Sequence, residues 1–182
     1  MKSAPKKVPA QKMPSTIESA VIIAQLNLLP HPEGGWYSEV YRSDEILQPD
    51  LLPGRYKSAH CFSTSIYFML EKDDFSAFHR ISSDETWHFY MGSPVLIHCI
   101  NPDGSCSKIE LGNNLSAGQV LQYTIKRNCW FAAKNLDVNT FSLFGCTVAP
   151  GFEFSDFELG QKQILCSLFP QHGADISELT RI

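Results

Sequence analysis

From Trp36 onward the chain is a train of short β-type runs. Segments near 36–42, 60–70, 75–80, 85–91, 95–100, 107–111, 119–125, 129–133 and 140–148 carry Val, Ile, Tyr, Phe, Trp and Thr, with turn residues between them. Asn101-Pro102-Asp103-Gly104 separates two of these runs and reads as a hairpin: Pro presets φ and Gly accepts φ > 0. Helical signals are confined to the two ends. Ser15 and Glu18 form a capping-box pattern, and Ile17, Val21, Ala24 and Leu28 then make one apolar stripe that should stop before Pro30. His31-Pro32-Glu33-Gly34-Gly35 reads as a turn, with His31 as a turn residue. Ser155 and Glu158 repeat the capping pattern ahead of Leu159, Leu165 and Leu168, and Pro170 ends that helix. Many short strands with helices only at the ends predict an all-β sandwich or barrel.

The 182 residues suit one domain over 15–182, preceded by a basic, Pro-rich arm over 1–14 expected to be disordered. A hydrophobic content of 43% excludes disorder over the whole chain. No apolar run approaches the roughly 18 residues of a membrane span, and no apolar region follows the first lysines, so a cytoplasmic protein without membrane attachment is expected. The net charge is −4, and without the four lysines of the arm it is −8. An acidic body lacks the footprint of a nucleic-acid binder. Six cysteines show no CxxC spacing and interrupt apolar runs, which predicts reduced, mostly buried thiols.

The chemistry concentrates in Phe78-His79-Arg80-Ile81-Ser82-Ser83-Asp84-Glu85-Thr86-Trp87-His88-Phe89-Tyr90-Met91-Gly92. An imidazole and a carboxylate among aromatics can ligate a metal or act as a base with its orienting partner. Strand parity puts Glu85, Trp87 and Phe89 on one face and Asp84, Thr86, His88 and Tyr90 on the other. This parity pairs His79 with Glu85 and leaves His88 as a candidate third member. The alternative is a buried structural His79, with Glu85 paired to Arg80 or Arg42.

That stretch resembles the first motif of the cupin superfamily. His79 stands at its first His, Glu85 and Gly92 fit the later spacing, Ile81 occupies the second His position and Asp73 the leading Gly. Gly118 and Asn135 fit the ends of the second motif. Lys126-Arg127-Asn128 replaces its Pro-x-Gly turn, which Asn128 could still form in the left-handed region. The second-motif His falls on Phe131, or on Cys129 under stricter spacing. Carried over residue by residue, the superfamily's metal ligands become His79, Ile81, Glu85 and Phe131. Two of the four are lost, so the resemblance implies no tightly held metal and no cofactor.

Further motifs resemble one cupin-like family of unknown function: His31-Pro32-Glu33-Gly34-Gly35-Trp36-Tyr37, Glu39-x-Tyr41-Arg42-Ser43, Ser65-Ile66-Tyr67-Phe68, Trp130-Phe131-Ala132-Ala133 and Gly145-Cys146-Thr147-Val148-Ala149-Pro150-Gly151-Phe152. The resemblance implies a double-stranded β-helix, the jelly-roll sandwich of sugar-nucleotide 3,5-epimerases, and a homodimer. Its barrel pocket should be lined by His79, Glu85, Trp87, Tyr67, Phe89 and Phe131.

Parity also puts Tyr37, Glu39 and Tyr41 on one face and Arg42 on the other. Tyr37 and Tyr41 could line the pocket mouth, and Arg42 could clamp an anion, against a plain packing role. Phe152, Phe154 and Phe157 read as core or dimer contact, and His60 and His98 as structural. The first functional expectation is metal-independent binding of a small polar or carbohydrate-like ligand. A second is an epimerase or isomerase with His79 as base, Glu85 or Asp84 orienting it, and Tyr67 or Tyr41 as acid. A metal-dependent oxygenase comes third, disfavoured by Ile81 and Phe131.

Overall fold

A computed structural model describes residues 18–181. The arm over 1–14 and Ser15 of the first capping pattern lie outside them. In chain order the elements are α1 (Ser19–Gln25), β1 (Leu29–Pro30), β2 (Trp36–Arg42), β3 (Ile46–Leu47), β4 (His60–Cys61), β5 (Thr64–Glu71), β6 (Phe75–Arg80), β7 (Asp84–Gly92), β8 (Val95–Ile100), β9 (Cys106–Leu111), β10 (Gln122–Ile125), β11 (Trp130–Asn135), β12 (Phe141–Ala149), β13 (Glu158–Leu159), α2 (Lys162–Leu168) and α3 (Gly173–Glu178).

Two antiparallel sheets face each other as a jelly roll. One runs β1-β2-β5-β12-β7-β10 and the other β13-β6-β11-β8-β9. Both sheets keep free edges, so the expected barrel is not closed, and the pocket lies between two open sheets. Phe68, Trp87, Phe89, Ile97, Phe131 and Phe144 fill the space between the layers. The outer face of the five-stranded sheet is covered by α2 and α3, where Phe78, Trp130, Leu165, Ile176 and Leu179 pack together. That double cover explains why β11 is buried at nearly every position instead of alternating. On the far side α1 lays Ile22 against Met69, Phe141 and Leu143.

Local sequence accounts for the joints. Gly104 has φ +82 and donates its N–H to Asn101 O at 2.9 Å, which closes the β8–β9 hairpin. Asn128 takes φ +63 ahead of β11. The second capping box does not form. Glu158 enters β13 and pairs its carboxylate with Arg80, and α2 begins only at Lys162 without a side-chain cap. The charged pair across two strands outcompetes a cap on a marginal helix. α1 ends at Gln25, short of Pro30, because Asn27 turns left-handed at φ +51.

Candidate functional site

The turn between β1 and β2 carries two polar side chains inward. Gly34 (φ +109) and Gly35 (φ +71) adopt backbone conformations that side chains resist, and they fold the loop tightly against β6. A Cβ on Gly34 would lie 2.2 Å from Phe75 O and 2.1 Å from the Arg181 guanidinium. Arg181 occupies that space, donating Nε–H to Glu33 O (3.0 Å) and Nη2–H to Phe75 O (2.7 Å). Asp74 completes the clamp by accepting from Gly35 N–H at 2.8 Å.

So held, Glu33 sits 4% exposed at the cavity floor. Ser76 Oγ donates to its Oε1 at 2.8 Å. Its Oε2 lies 3.2 Å from His79 Nε2 and 3.4 Å from His31 Nδ1. His79, 3% exposed, donates Nδ1–H to Ala77 O at 2.8 Å, which leaves Nε2 as the nitrogen facing Glu33. His79 Nε2 and Glu33 Oε2 are therefore placed within reach of a shared proton. Burial, then the Glu85 charge, push the Glu33 carboxyl well above its ordinary range; Ser76 and Arg181 oppose this. Burial depresses His79 to about 3, against the hydrogen bond to Ala77, and His31 to about 4. The cluster thus holds neutral imidazoles beside a carboxyl whose hold on its proton is strengthened by burial.

Glu85 is the second buried carboxyl. Burial raises it to about 7, partly offset by the Cys146 thiol and the Trp87 indole N–H that face it. The Trp87 N–H makes no hydrogen bond of normal geometry, so that support is weak. Glu85, Glu33, His79 and His31 share a cavity of about 240 Å³ with Tyr37, Glu39, Arg42, Ile81, Phe68 and Cys146. Its roof is the strand-to-strand segment that presents Phe152, Phe154 and Phe157. This roof is tied down on several sides. Arg42 donates to Glu153 (2.7 Å) and to Phe152 O (3.2 Å), Phe152 N–H donates to Thr64 Oγ1 (3.0 Å), and His60 Nδ1–H donates to Gly151 O (2.8 Å).

The structure places the expected site residues unevenly. His79 and Glu85 line the cavity, but the carboxyl partner of His79 is Glu33 and not Glu85. Phe131 packs behind His79, ring centroids 4.0 Å apart. Trp87 and Phe89 belong to the core beneath, Trp87 stacked on Phe144 at 4.4 Å. His88 faces the other side of β7, where its Nε2 meets Thr147 Oγ1 at 3.2 Å. Asp84, also on that side, is tied to Lys126 and to Arg127 N–H. Tyr67 points to the outer face, its ring 6.0 Å from Tyr90 and beside α1. Tyr41 is 54% exposed and Arg42 lines the cavity instead, because the β2–β5 register slips between Glu39 and Tyr41. That bulge inverts the parity on which the Tyr41 placement rested. Neither Arg80 nor Arg42 pairs with Glu85: Arg80 binds Glu158, and Arg42 binds Glu39 and Glu153.

Sequence reasoning missed His31, Glu33 and the aromatic roof. A turn has no periodicity to say which way its side chains point. The available signal was chemical: a Pro-Gly-Gly turn needs neither an imidazole nor a carboxyl, yet this one carries both.

The donor set does not fit a cupin metal. Ile81 and Phe131 replace two ligands, and His79 Nε2 is already turned to Glu33. Among the described residues no three His, Cys, Asp or Glu side chains are arranged to hold a metal ion.

An open jelly roll with such a pocket defines a cupin-like domain, and the comparisons agree. The chain belongs to the family described as Cupin superfamily (DUF985), whose model matches residues 20–160. Among solved structures it is similar to protein SO0799 from Shewanella oneidensis, at 36% identity and TM-score 0.83, covering 91% of this chain and 99% of that one. A hypothetical protein from Leishmania major is similar at 31% identity and TM-score 0.82, covering 91% and 100%. A point mutant of Bacillus subtilis oxalate decarboxylase aligns at 13% identity and TM-score 0.51, over 86% of this chain and 38% of that one, which reflects the fold alone. No curated protein matches the sequence. No helix among the described residues is long and apolar enough to cross a membrane.

Proposed function

We propose that this protein binds a small polar, ring-shaped ligand of the carbohydrate-like kind in the cavity and moves a proton on it, the chemistry of an isomerase or epimerase. One observation carries the reading: Glu33, His79, His31 and Glu85 are buried together around one cavity, with carboxyls displaced upward and imidazoles downward. Structural ion pairs are seldom gathered around empty space. Phe152, Phe154 and Phe157 supply faces for a ring, as they do in sites that stack the apolar side of a sugar. His79 Nε2 accepts a proton from the ligand as Glu33 turns its own proton away, and Glu85, near neutrality, returns one from another side. Tyr37 is the phenol that lines the cavity, in place of Tyr67 or Tyr41. No step uses a metal.

The test is proton NMR in deuterated water with a panel of monosaccharides and their acids. The expected result is wash-out of one carbon-bound proton from the accepted compound. It should persist in chelator and fall by about 10²–10⁴ in His79→Ala. Binding without wash-out for every compound would reduce the protein to a carrier. A homodimer, which the exposed Val40, Tyr41, Tyr90 and Met91 of the six-stranded sheet support, should appear in sedimentation equilibrium.

A further inference from the structure

The cavity contains one cation and three carboxyl side chains, Glu33, Glu39 and Glu85. The cation is committed. Arg42 Nε donates to Glu39 at 3.1 Å, Nη2 to Glu39 at 2.9 Å and to Phe152 O at 3.2 Å, and Nη1 to Glu153 at 2.7 Å. The remaining direction, from Nη1, is taken up by Cys61 Sγ at 3.8 Å. A guanidinium offers five N–H groups in a fixed fork, so none is left for an incoming anion. An anion-clamping Arg42 is therefore excluded while the roof is in place.

Glu85 is the opposite case. It is 8% exposed, lines the cavity, and has no ion-pair partner among the described residues. Its immediate neighbours are a thiol and an indole N–H, both poor substitutes for a cation, and the nearby acid Glu33 supplies no positive charge either. A buried carboxylate without a counter-charge is costly, and a ligand that supplies the counter-charge recovers that cost on binding. Around the same space stand Phe68, Phe152, Phe154, Phe157 and Tyr37. Phe152 and Phe154 meet at 81° with centroids 5.0 Å apart, which forms a corner of an aromatic box. Rings arranged in this way attract cations and repel anions through their electron-rich faces.

We infer that the cavity selects a ligand bearing a protonated amino group, seated on Glu85 and boxed by the phenylalanines of the roof. The inference rests on the proposed function only in taking this cavity as the ligand site. It narrows the ligand from polar rings in general to amino-substituted ones.

Three six-membered-ring probes that differ only in charge test it: cyclohexylamine, cyclohexanol and cyclohexanecarboxylate, titrated calorimetrically at pH 8. The amine should bind at least about tenfold more tightly than the alcohol, and the carboxylate least, as expected for one buried charge pair. In Glu85→Gln the amine should lose about tenfold while the alcohol stays unchanged. The wild-type order alone decides the matter should the variant fail to fold. Equal binding of amine and alcohol, tightest binding of the carboxylate, or an amine affinity indifferent to Glu85→Gln would each overturn the charge assignment and leave the cavity as a ligand site. Failure of all three to bind would overturn both.

Discussion

His79 and His60 each hang from a backbone carbonyl by Nδ1 and turn Nε2 to a carboxyl. For His79 the carbonyl is Ala77 O at 2.8 Å and the acid Glu33 at 3.2 Å; for His60 they are Gly151 O at 2.8 Å and Asp156 at 3.1 Å. The pairs differ in their surroundings. His60 is enclosed by packed side chains, with the Tyr56 ring edge-on at 4.7 Å, and Asp156 belongs to the roof segment. His79 and Glu33 look into a cavity and share it with two further carboxyls, Glu39 and Glu85, and a second imidazole. A buried histidine–carboxyl pair is thus not in itself a mark of function. The empty space beside it, and the further titratable groups around that space, make the distinction.

The largest effect should come from removing one acid of each pair. Glu33→Ala strips the carboxyl from Ser76, His79 and His31 in a sealed site and should cost about 3 kcal/mol in urea unfolding. Asp156→Ala removes a carboxyl with a single imidazole neighbour, to which it makes no hydrogen bond of normal geometry, and should cost about 1 kcal/mol. Equal losses would break the contrast.

Next in size is the pH profile of stability. Glu33 and Glu85 bind protons more tightly folded than unfolded, so their contribution is whole below their ordinary value of 4.5. It is lost as pH rises, for Glu85 through about 7. His31 and His79 bind protons more weakly folded, so their contribution is whole above 6.5 and is lost as pH falls toward about 4 and 3. The two trends meet between 4.5 and 6.5, where denaturation midpoints should peak. Glu85→Gln should flatten the fall near neutrality. A profile rising steadily to pH 8 would contradict the burial of these carboxyls.

A smaller change is expected from His60→Ala, which frees one tie of the roof. Ligand affinity should drop by about threefold to tenfold with proton transfer retained, readable as a rise in KM at similar kcat. Tyr41→Ala should alter neither by more than about twofold, since the side chain faces away from the cavity.

Legibility from sequence followed the regularity of the backbone. Along β7 the alternation holds from Asp84 to Phe89, ahead of a register shift at Tyr90, and Glu85, Trp87 and Phe89 are buried as their spacing predicts. Along β2 the same logic failed at Val40, because a bulge is a local twist that leaves no trace in an alternating apolar pattern. The fold, and the motifs that identify the family, were readable because turns and alternation are local. The partnership of Glu33 with His79 was not, since it joins a turn to a strand through contacts that only the closed sandwich creates. Tyr67 shows a third kind of failure. Its residue type suits a pocket, but β5 presents it to α1, and residue type carries no direction.

The Arg181 clamp on the Glu33 carbonyl has a consequence for how the site comes into being. That bond closes a separation of 148 residues. Contacts between such remote stretches carry the highest loop-closure cost and depend on the intervening strands having paired. During folding the hairpins can therefore zip while the turn bearing His31 and Glu33 is still open to water, its acid ionised like any other. The unusual proton affinity of the cluster is a property of the closed sandwich, so proton uptake by its carboxyls should accompany the burial of this turn.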